Sequence, residues 1–240
     1  MFKFLKALMN NKESTITNNI NSVHRILKTD IKKEPYIEED EIIFGCGCFW
    51  GAEKCFWKLP GVVTTSVGYA GGKKNNPTYY EVCSGLTGHS EVVRVIWDKS
   101  KIDISDLLKM FWECHDPTQI NRQGNDIGTQ YRSAIFYKNE KNLETIIASK
   151  EEYQKELSKN NFGLIQTEIK MIDTYFYAEQ YHQQYLASPG SRQYCSASPT
   201  KVKLGNFVGS NFKLKEYIWE NFNWEVDKCV LRSDNNPIKN

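Results

Sequence analysis

The sequence predicts an α+β fold: a two-layer ferredoxin-like α/β core with a mixed or mostly antiparallel sheet, flanked by N- and C-terminal extensions. Three observations carry this expectation. Short apolar runs of strand length alternate with amphipathic stretches of helical spacing from Ile42 onward. The 240 residues, 40% of them hydrophobic and 25% charged, suffice for one well-packed core and fall short of two large ones. The first 40 or so residues are rich in Asn, Lys, Thr and Ser and lose apolar periodicity after Leu8, so they stand apart from the alternation.

Taken in order, Ile42, Ile43 and Phe44 form an apolar run bounded by Gly45 and Gly47, which predicts a strand over 42–46. Phe49, Trp50, Glu53, Phe56 and Trp57 recur at helical spacing and predict a helix over 49–58. A strand at 63–69, a loop at 70–80 and a strand at 91–98 follow. Asp103 or Ser105 opens a helix over 103–114, since a short polar side chain satisfies the unpaired N–H groups of a first turn. A long loop, 115–130, leads to a strand at 132–138 and a charged helix at 139–159, which Asn160-Asn161-Phe162-Gly163 stops. A strand over 165–172 completes the alternation. Beyond Pro189, turn residues give way to Phe212, Leu214, Tyr217, Ile218, Trp219 and Phe222, which predict a docked terminal helix, and the chain beyond Arg232 is expected to fray. The division is therefore an extension over 1–40, flexible or used for targeting, a chemical domain over 41–190, and a tail over 191–240.

Composition excludes several function classes. Lys plus Arg is 31 against 29 for Asp plus Glu, so no electrostatic case exists for nucleic acid or an anionic membrane. No apolar run approaches the roughly 20 residues that span a bilayer. Seven cysteines (Cys46, Cys48, Cys55, Cys83, Cys114, Cys195 and Cys229), an odd number without a C-x-x-C pair, argue for a reducing compartment over a secreted disulfide scaffold. The dispersed histidines at 24, 89, 115 and 182 give no zinc spacing, so no metal is expected. Met1–Met9 is basic and apolar but has no uninterrupted signal-peptide core. The expected location is the cytoplasm, with organellar targeting by the extension left open.

Chemistry concentrates at Gly47-Cys48-Phe49-Trp50-Gly51, which sets one thiol between a strand and the first turn of a helix. Unpaired N–H groups and the helix dipole there favour a thiolate, so Cys48 is expected to have a lowered pKa and to act as a nucleophile. Four further stretches gather polar chemistry. They are Asn76-Pro77-Thr78-Tyr79-Tyr80-Glu81-Val82, Gly88-His89-Ser90-Glu91, Asp126-Ile127-Gly128-Thr129-Gln130-Tyr131-Arg132-Ser133, and Tyr194-Cys195-Ser196 in a Gly/Ser/Pro-rich tail. Cys55, Cys83 and Cys114 sit in apolar or helical patterns and are expected to be structural.

With Ser66-Val67-Gly68-Tyr69-Ala70-Gly71-Gly72 and Tyr181-His182-Gln183-Gln184-Tyr185-Leu186, these motifs resemble the A-type peptide methionine sulfoxide reductases over roughly residues 42 to 196. Those enzymes reduce the S epimer of methionine sulfoxide, free or within proteins. The resemblance implies Cys48 as the nucleophile on the sulfoxide sulfur and Glu91 as a carboxylic acid that protonates the departing oxygen. It implies Tyr79 and Tyr131 as phenols on the sulfoxide oxygen, Phe49 and Trp50 as aromatic walls for the methyl group, and Asp126 as a polar residue orienting substrate or water. Cys195 matches the resolving thiol, which would convert a Cys48 sulfenic acid into a disulfide that thioredoxin or another dithiol reopens. No bound cofactor is implied, and the partners would be oxidised proteins or free methionine sulfoxide, and thioredoxin, acting on a monomer.

Three departures stand out. The tail around Cys195, Ser191-Arg192-Gln193-Tyr194-Cys195-Ser196-Ala197-Ser198-Pro199, is not glycine-rich. Cys46, two residues before Cys48, offers an alternative disulfide, and Cys229 a second resolving thiol. An alternative reading is a metal or redox-sensing module built from Cys46, Cys48, Cys195 and a histidine; another is a catalytically dead, methionine- or partner-binding member of the same family.

Overall fold

Six strands form one sheet in a computed structural model that describes residues 20–226 and 229–239, Cys229 by its backbone alone. They are β1 (Glu39–Cys46), β2 (Val62–Ala70), β3 (Ser90–Asp98), β6 (Ser133–Tyr137), β7 (Glu168–Met171) and β8 (Tyr175–Tyr177), in the order β7-β6-β1-β3-β2-β8. β1 runs antiparallel to both β3 and β6, β2 runs antiparallel to β3 and β8, and β6 and β7 pair in parallel. The mixed, mostly antiparallel sheet of the sequence reading is thus the observed one.

The side chains of alternate residues explain why β1 and β3 read as continuous apolar runs. Ile42, Phe44, Val93 and Val95 face a large core with the helices α1 (Phe49–Trp57), α3 (Ile104–Glu113) and α4 (Leu143–Lys159), whereas Ile43 and Val92 join a small cluster with Phe136 and Ile172. Both faces are buried, so neither needs a polar stripe. Phe44 stacks on Phe56 of α1 at 4.8 Å and on Phe111 of α3 at 5.1 Å between ring centroids. Each such pair adds about 0.5–1.5 kcal/mol beyond its area burial, which clamps α1 to the sheet.

Residues 20–40 are packed against this sheet. His24 Nε2 lies 2.9 Å from Thr65 Oγ1, and Arg94, itself paired with Glu41 at 2.5 Å, donates to the Lys33 carbonyl at 3.0 Å. The second half of the extension expected over 1–40 is therefore held in place, and residues 1–19, the rest of it, lie outside the described residues.

Asp103, one of the two openers expected, is the cap of α3, accepting from the Ser105 N–H at 2.9 Å. Several other elements differ from the sequence reading. The loop predicted at 70–80 gives way at its end to α2 (Tyr79–Cys83), where Thr78 and Glu81 form a reciprocal capping box. A two-residue ladder, β4 (Arg122–Gln123) with β5 (Asp126–Ile127), tightens the long loop. The terminal helix shrinks to α5 (Glu216–Trp219), although Leu214, Ile218, Trp219 and Phe222 are buried as expected. The end beyond Arg232 is docked: Lys58 Nζ donates to the Asp234 and Asn236 carbonyls at 3.2 and 3.1 Å, and Trp57 Nε1 to the Asn235 carbonyl at 3.0 Å. These bonds answer buried donors on α1 that the local sequence of the tail does not reveal.

Candidate active site

β1 turns into α1 through Gly47, whose φ of +88° places it where L side chains are strained, and a Cβ there would meet the Gln123 side chain at 2.5 Å. The next residue, Cys48, is the N-cap of α1, as the sequence predicts. It is half-buried in a cleft of about 360 Å³ whose walls include Phe49, Trp50, Tyr79, Glu91, Asp126 and Tyr131. Every residue singled out for the substrate side therefore lines one cavity, although they come from four separate parts of the chain.

Glu91, the second residue of β3, is 1% exposed and accepts the Phe49 N–H at 3.1 Å. Burial, aided by the nearby Asp126 carboxylate, pushes its pKa up to about 8, while the Phe49 N–H opposes the shift. The carboxyl is consequently neutral at pH 7 and holds a proton to give. Burial and Glu91 likewise raise Tyr79 and Tyr131, which remain protonated donors.

The expected lowering of the Cys48 pKa is corrected. Burial raises it well above the ordinary thiol range, and the charges that Glu91, Asp126 and Cys195 can carry push the same way. The Trp50 backbone at the helix N-terminus pulls in the opposite direction without prevailing. Cys48 rests as a thiol, because desolvation of a thiolate costs more than one helix terminus returns.

The tail also differs from expectation. Cys195 is buried and stands against Gly51, one helical turn from Cys48. Both oxygens of Asp126 are engaged by its neighbours: Tyr194 Oη donates at 2.6 Å and Ser196 Oγ makes a very short bond. Asp126 thus pins the segment carrying Cys195, a role the sequence did not suggest. Cys46 and Cys48 line different cavities, and the side chain of Cys229 lies outside the described residues.

Sequence reasoning missed a buried layer under the cleft. His182 Nδ1 accepts the Trp50 Nε1–H at 3.0 Å, and Tyr185 stacks on the Trp50 ring at 3.9 Å. Glu179 joins Tyr69 Oη, at 2.7 Å, to the Tyr79 N–H, at 2.8 Å. Arg192 and Tyr194 complete the cleft. The motif Tyr181–Leu186 and the tail were the available signals, but neither gives roles before folding.

A sequence profile described as "Peptide methionine sulfoxide reductase" matches residues 40–215. The chain belongs to the peptide methionine sulfoxide reductase family. Among its relatives, "Peptide methionine sulfoxide reductase MsrA" of Vibrio vulnificus is 52% identical over 183 residues, which cover 76% of this chain and 87% of that protein. The "Mitochondrial peptide methionine sulfoxide reductase" of Homo sapiens is 55% identical over 170 residues, 70% of this chain and 72% of that one. Among solved structures, methionine sulfoxide reductase A of Corynebacterium diphtheriae aligns with a TM-score of 0.66 at 40% identity, over 78% of this chain and 90% of that one. Reduced Mxr1 of Saccharomyces cerevisiae aligns with a TM-score of 0.62 at 33% identity, over 72% and 96%. As a peptide methionine sulfoxide reductase the protein is an oxidoreductase.

Proposed function

We propose that this reductase converts methionine-S-sulfoxide to methionine by attack of Cys48 on the sulfoxide sulfur, with Glu91 as the proton donor. The observation that carries the reading is a neutral, buried Glu91 carboxyl in the same cleft as Cys48. Glu91 gives its proton to the sulfoxide oxygen and then takes the proton that Cys48 releases, so no net charge is created in the buried site. Attack forms a bond between the Cys48 sulfur and the sulfoxide sulfur. The hydroxyl then passes from the substrate sulfur to the Cys48 sulfur as that sulfur–sulfur bond breaks, so methionine leaves as the thioether, reduced by two electrons, and Cys48 becomes a sulfenic acid, oxidised by two. Tyr79 and Tyr131 donate to the oxygen as negative charge grows on it. Phe49 and Trp50 hold the methyl group and so select the epimer.

Cys195 then attacks the sulfenic sulfur, water departs, and a Cys48–Cys195 disulfide forms. A thioredoxin-like dithiol reopens it by exchange, with no bound cofactor. Cys229 is a candidate for a second exchange step. Substrates are oxidised proteins and free methionine sulfoxide, the protein acts as a monomer, and neither nucleic acid nor membrane takes part. No helix among the described residues is long and apolar enough to cross a membrane. The protein works in the cytoplasm, unless residues 1–19 direct it to an organelle.

Replacing Cys48 by Ser tests the assignment. Reduction of a sulfoxide-bearing peptide should vanish; reduction at the wild-type rate would refute it.

A further inference from the structure

A second cavity, of about 160 Å³, lies against the first turns of α1 and is lined by Cys46, Cys55, Cys114 and Cys195 among others. The mechanism above uses Cys195 alone from this set. Beside it, the Sγ atoms of Cys46 and Cys114, which line it, and a ring nitrogen of His115 lie within 4.8 Å of one another, all three residues buried. Cys46 ends β1, Cys114 caps the C-terminus of α3, and His115 follows it, so the packing of α3 on β1 assembles the trio.

The surroundings of His115 suit coordination. Nδ1 lies 2.7 Å from the Phe111 carbonyl, which can only accept, so Nδ1 carries the proton and Nε2 the lone pair. Nε2 faces Ser133 Oγ at 2.7 Å, and that hydroxyl has a second partner, Thr167 Oγ1, at 2.8 Å. Ser133 can therefore direct its proton to Thr167 and leave the Nε2 lone pair uncommitted. A histidine whose far N–H is fixed by a backbone carbonyl is the usual arrangement around a metal ligand. Two thiols and an imidazole, with no carboxylate in the set, select soft d10 cations over calcium or magnesium. The Cys55 thiol abuts Cys114 and supplies a neighbouring sulfur.

We propose that Cys46, Cys114 and His115 bind one soft d10 cation, Cu(I) or Zn(II), at a site separate from the cleft of Cys48. Binding exchanges the two thiol protons for two metal–sulfur bonds and changes no oxidation state. With Zn(II) the assembled group is electrically neutral; with Cu(I) it carries one negative charge. Spacing in the sequence hides the site because its ligands come from two distant elements.

The fully reduced protein, titrated with Cu(I) held by a chromophoric chelator and separately with Zn(II), tests this. One equivalent per chain is expected in at least one arm, and the arm that binds identifies the cation. Cys46→Ser and Cys114→Ser should each weaken binding by more than the roughly 10–100-fold that loss of an outer partner causes. Cys48→Ser should bind as the wild type does. X-ray absorption of the metal-loaded wild type requires no variant to fold, and should show two sulfurs and one nitrogen on the metal. The proposal is overturned by no stoichiometric binding in either arm, by binding that survives both substitutions or is lost in Cys48→Ser, or by a shell without nitrogen.

Discussion

The Sγ of Cys195 rests so close over the backbone of Gly51 that a Cβ on that glycine would come within 2.7 Å of it. The small residue in the first turn of α1 is thus a docking place for the Cys195 thiol, three residues from Cys48. Its conformational freedom is incidental, since the space is what matters.

Gly51→Ala should accordingly displace Cys195 while leaving Cys48 and Glu91 in place. The first turnover, measured as methionine released by pre-reduced enzyme, should keep its rate. Disulfide formation should slow by up to about 10²-fold, the scale on which small misplacements act on bond-forming steps. An unchanged rate of Cys48–Cys195 disulfide formation would show that the contact is irrelevant.

Asp126 accepts from Tyr194 and Ser196, and hydrogen bonds to a charged group contribute about 1.5–3 kcal/mol each. Asp126→Ala should release the segment, and alkylation of Cys195 by iodoacetamide should accelerate at least about tenfold, the equivalent of roughly 1.4 kcal/mol. A segment that stays protected would mean that Cys195 is held by its burial alone.

Glu91 titrates near pH 8, and the proposed role as acid requires its proton, so kcat/KM should fall as pH rises through that value. Glu91→Gln should lose this limb and run roughly 10²–10⁴-fold slower at pH 7, the usual worth of a positioned acid. A variant with wild-type rate, or an enzyme with a flat profile from pH 7 to 9, would remove Glu91 from the chemistry.

The same burial links pH to stability. Burial raises Glu53 to about 7 and Glu91 to about 8 in the folded state, against 4.5 when exposed. The folded chain then binds more protons than the unfolded one above pH 4.5, so these two groups lower stability as pH rises. Buried neutral histidines such as His24, lowered by burial to about 3, oppose this below their ordinary pKa of 6.5 but not above it. Urea denaturation should therefore show stability falling between pH 6.5 and 8, by up to about 1.4 kcal/mol per unit for each of the two groups while it is still protonated in the folded state. Glu91→Gln should flatten the part between 7 and 8; an unaltered slope would contradict the assignment.

What the sequence made legible follows from locality. Gly47-Cys48-Phe49 announces a strand turning into a helix, because Gly, an apolar run and a change of period sit side by side. Residues 79, 91, 126 and 131 stood out in the sequence through their motifs, and the cleft they line together with Cys48 unites them. Quantities set by three-dimensional packing were not legible. A helix terminus favours a thiolate, but the burial that reverses this at Cys48 belongs to the folded cleft, whose walls also include the distant residues Tyr185, Arg192 and Tyr194. Ser191–Pro199 reads as a loose tail because the partners that fix it, Gly51 and Asp126, lie far away in sequence. The short elements α2, β4, β5 and β8 are below the length at which periodicity can be seen.

The most direct test of the central claim is disulfide mapping by mass spectrometry after pre-reduced protein meets one equivalent of methionine-S-sulfoxide without reductant. The account predicts one methionine released per chain and a peptide pair joined through Cys48 and Cys195. Methionine released while Cys48 remains alkylatable as a thiol would contradict it.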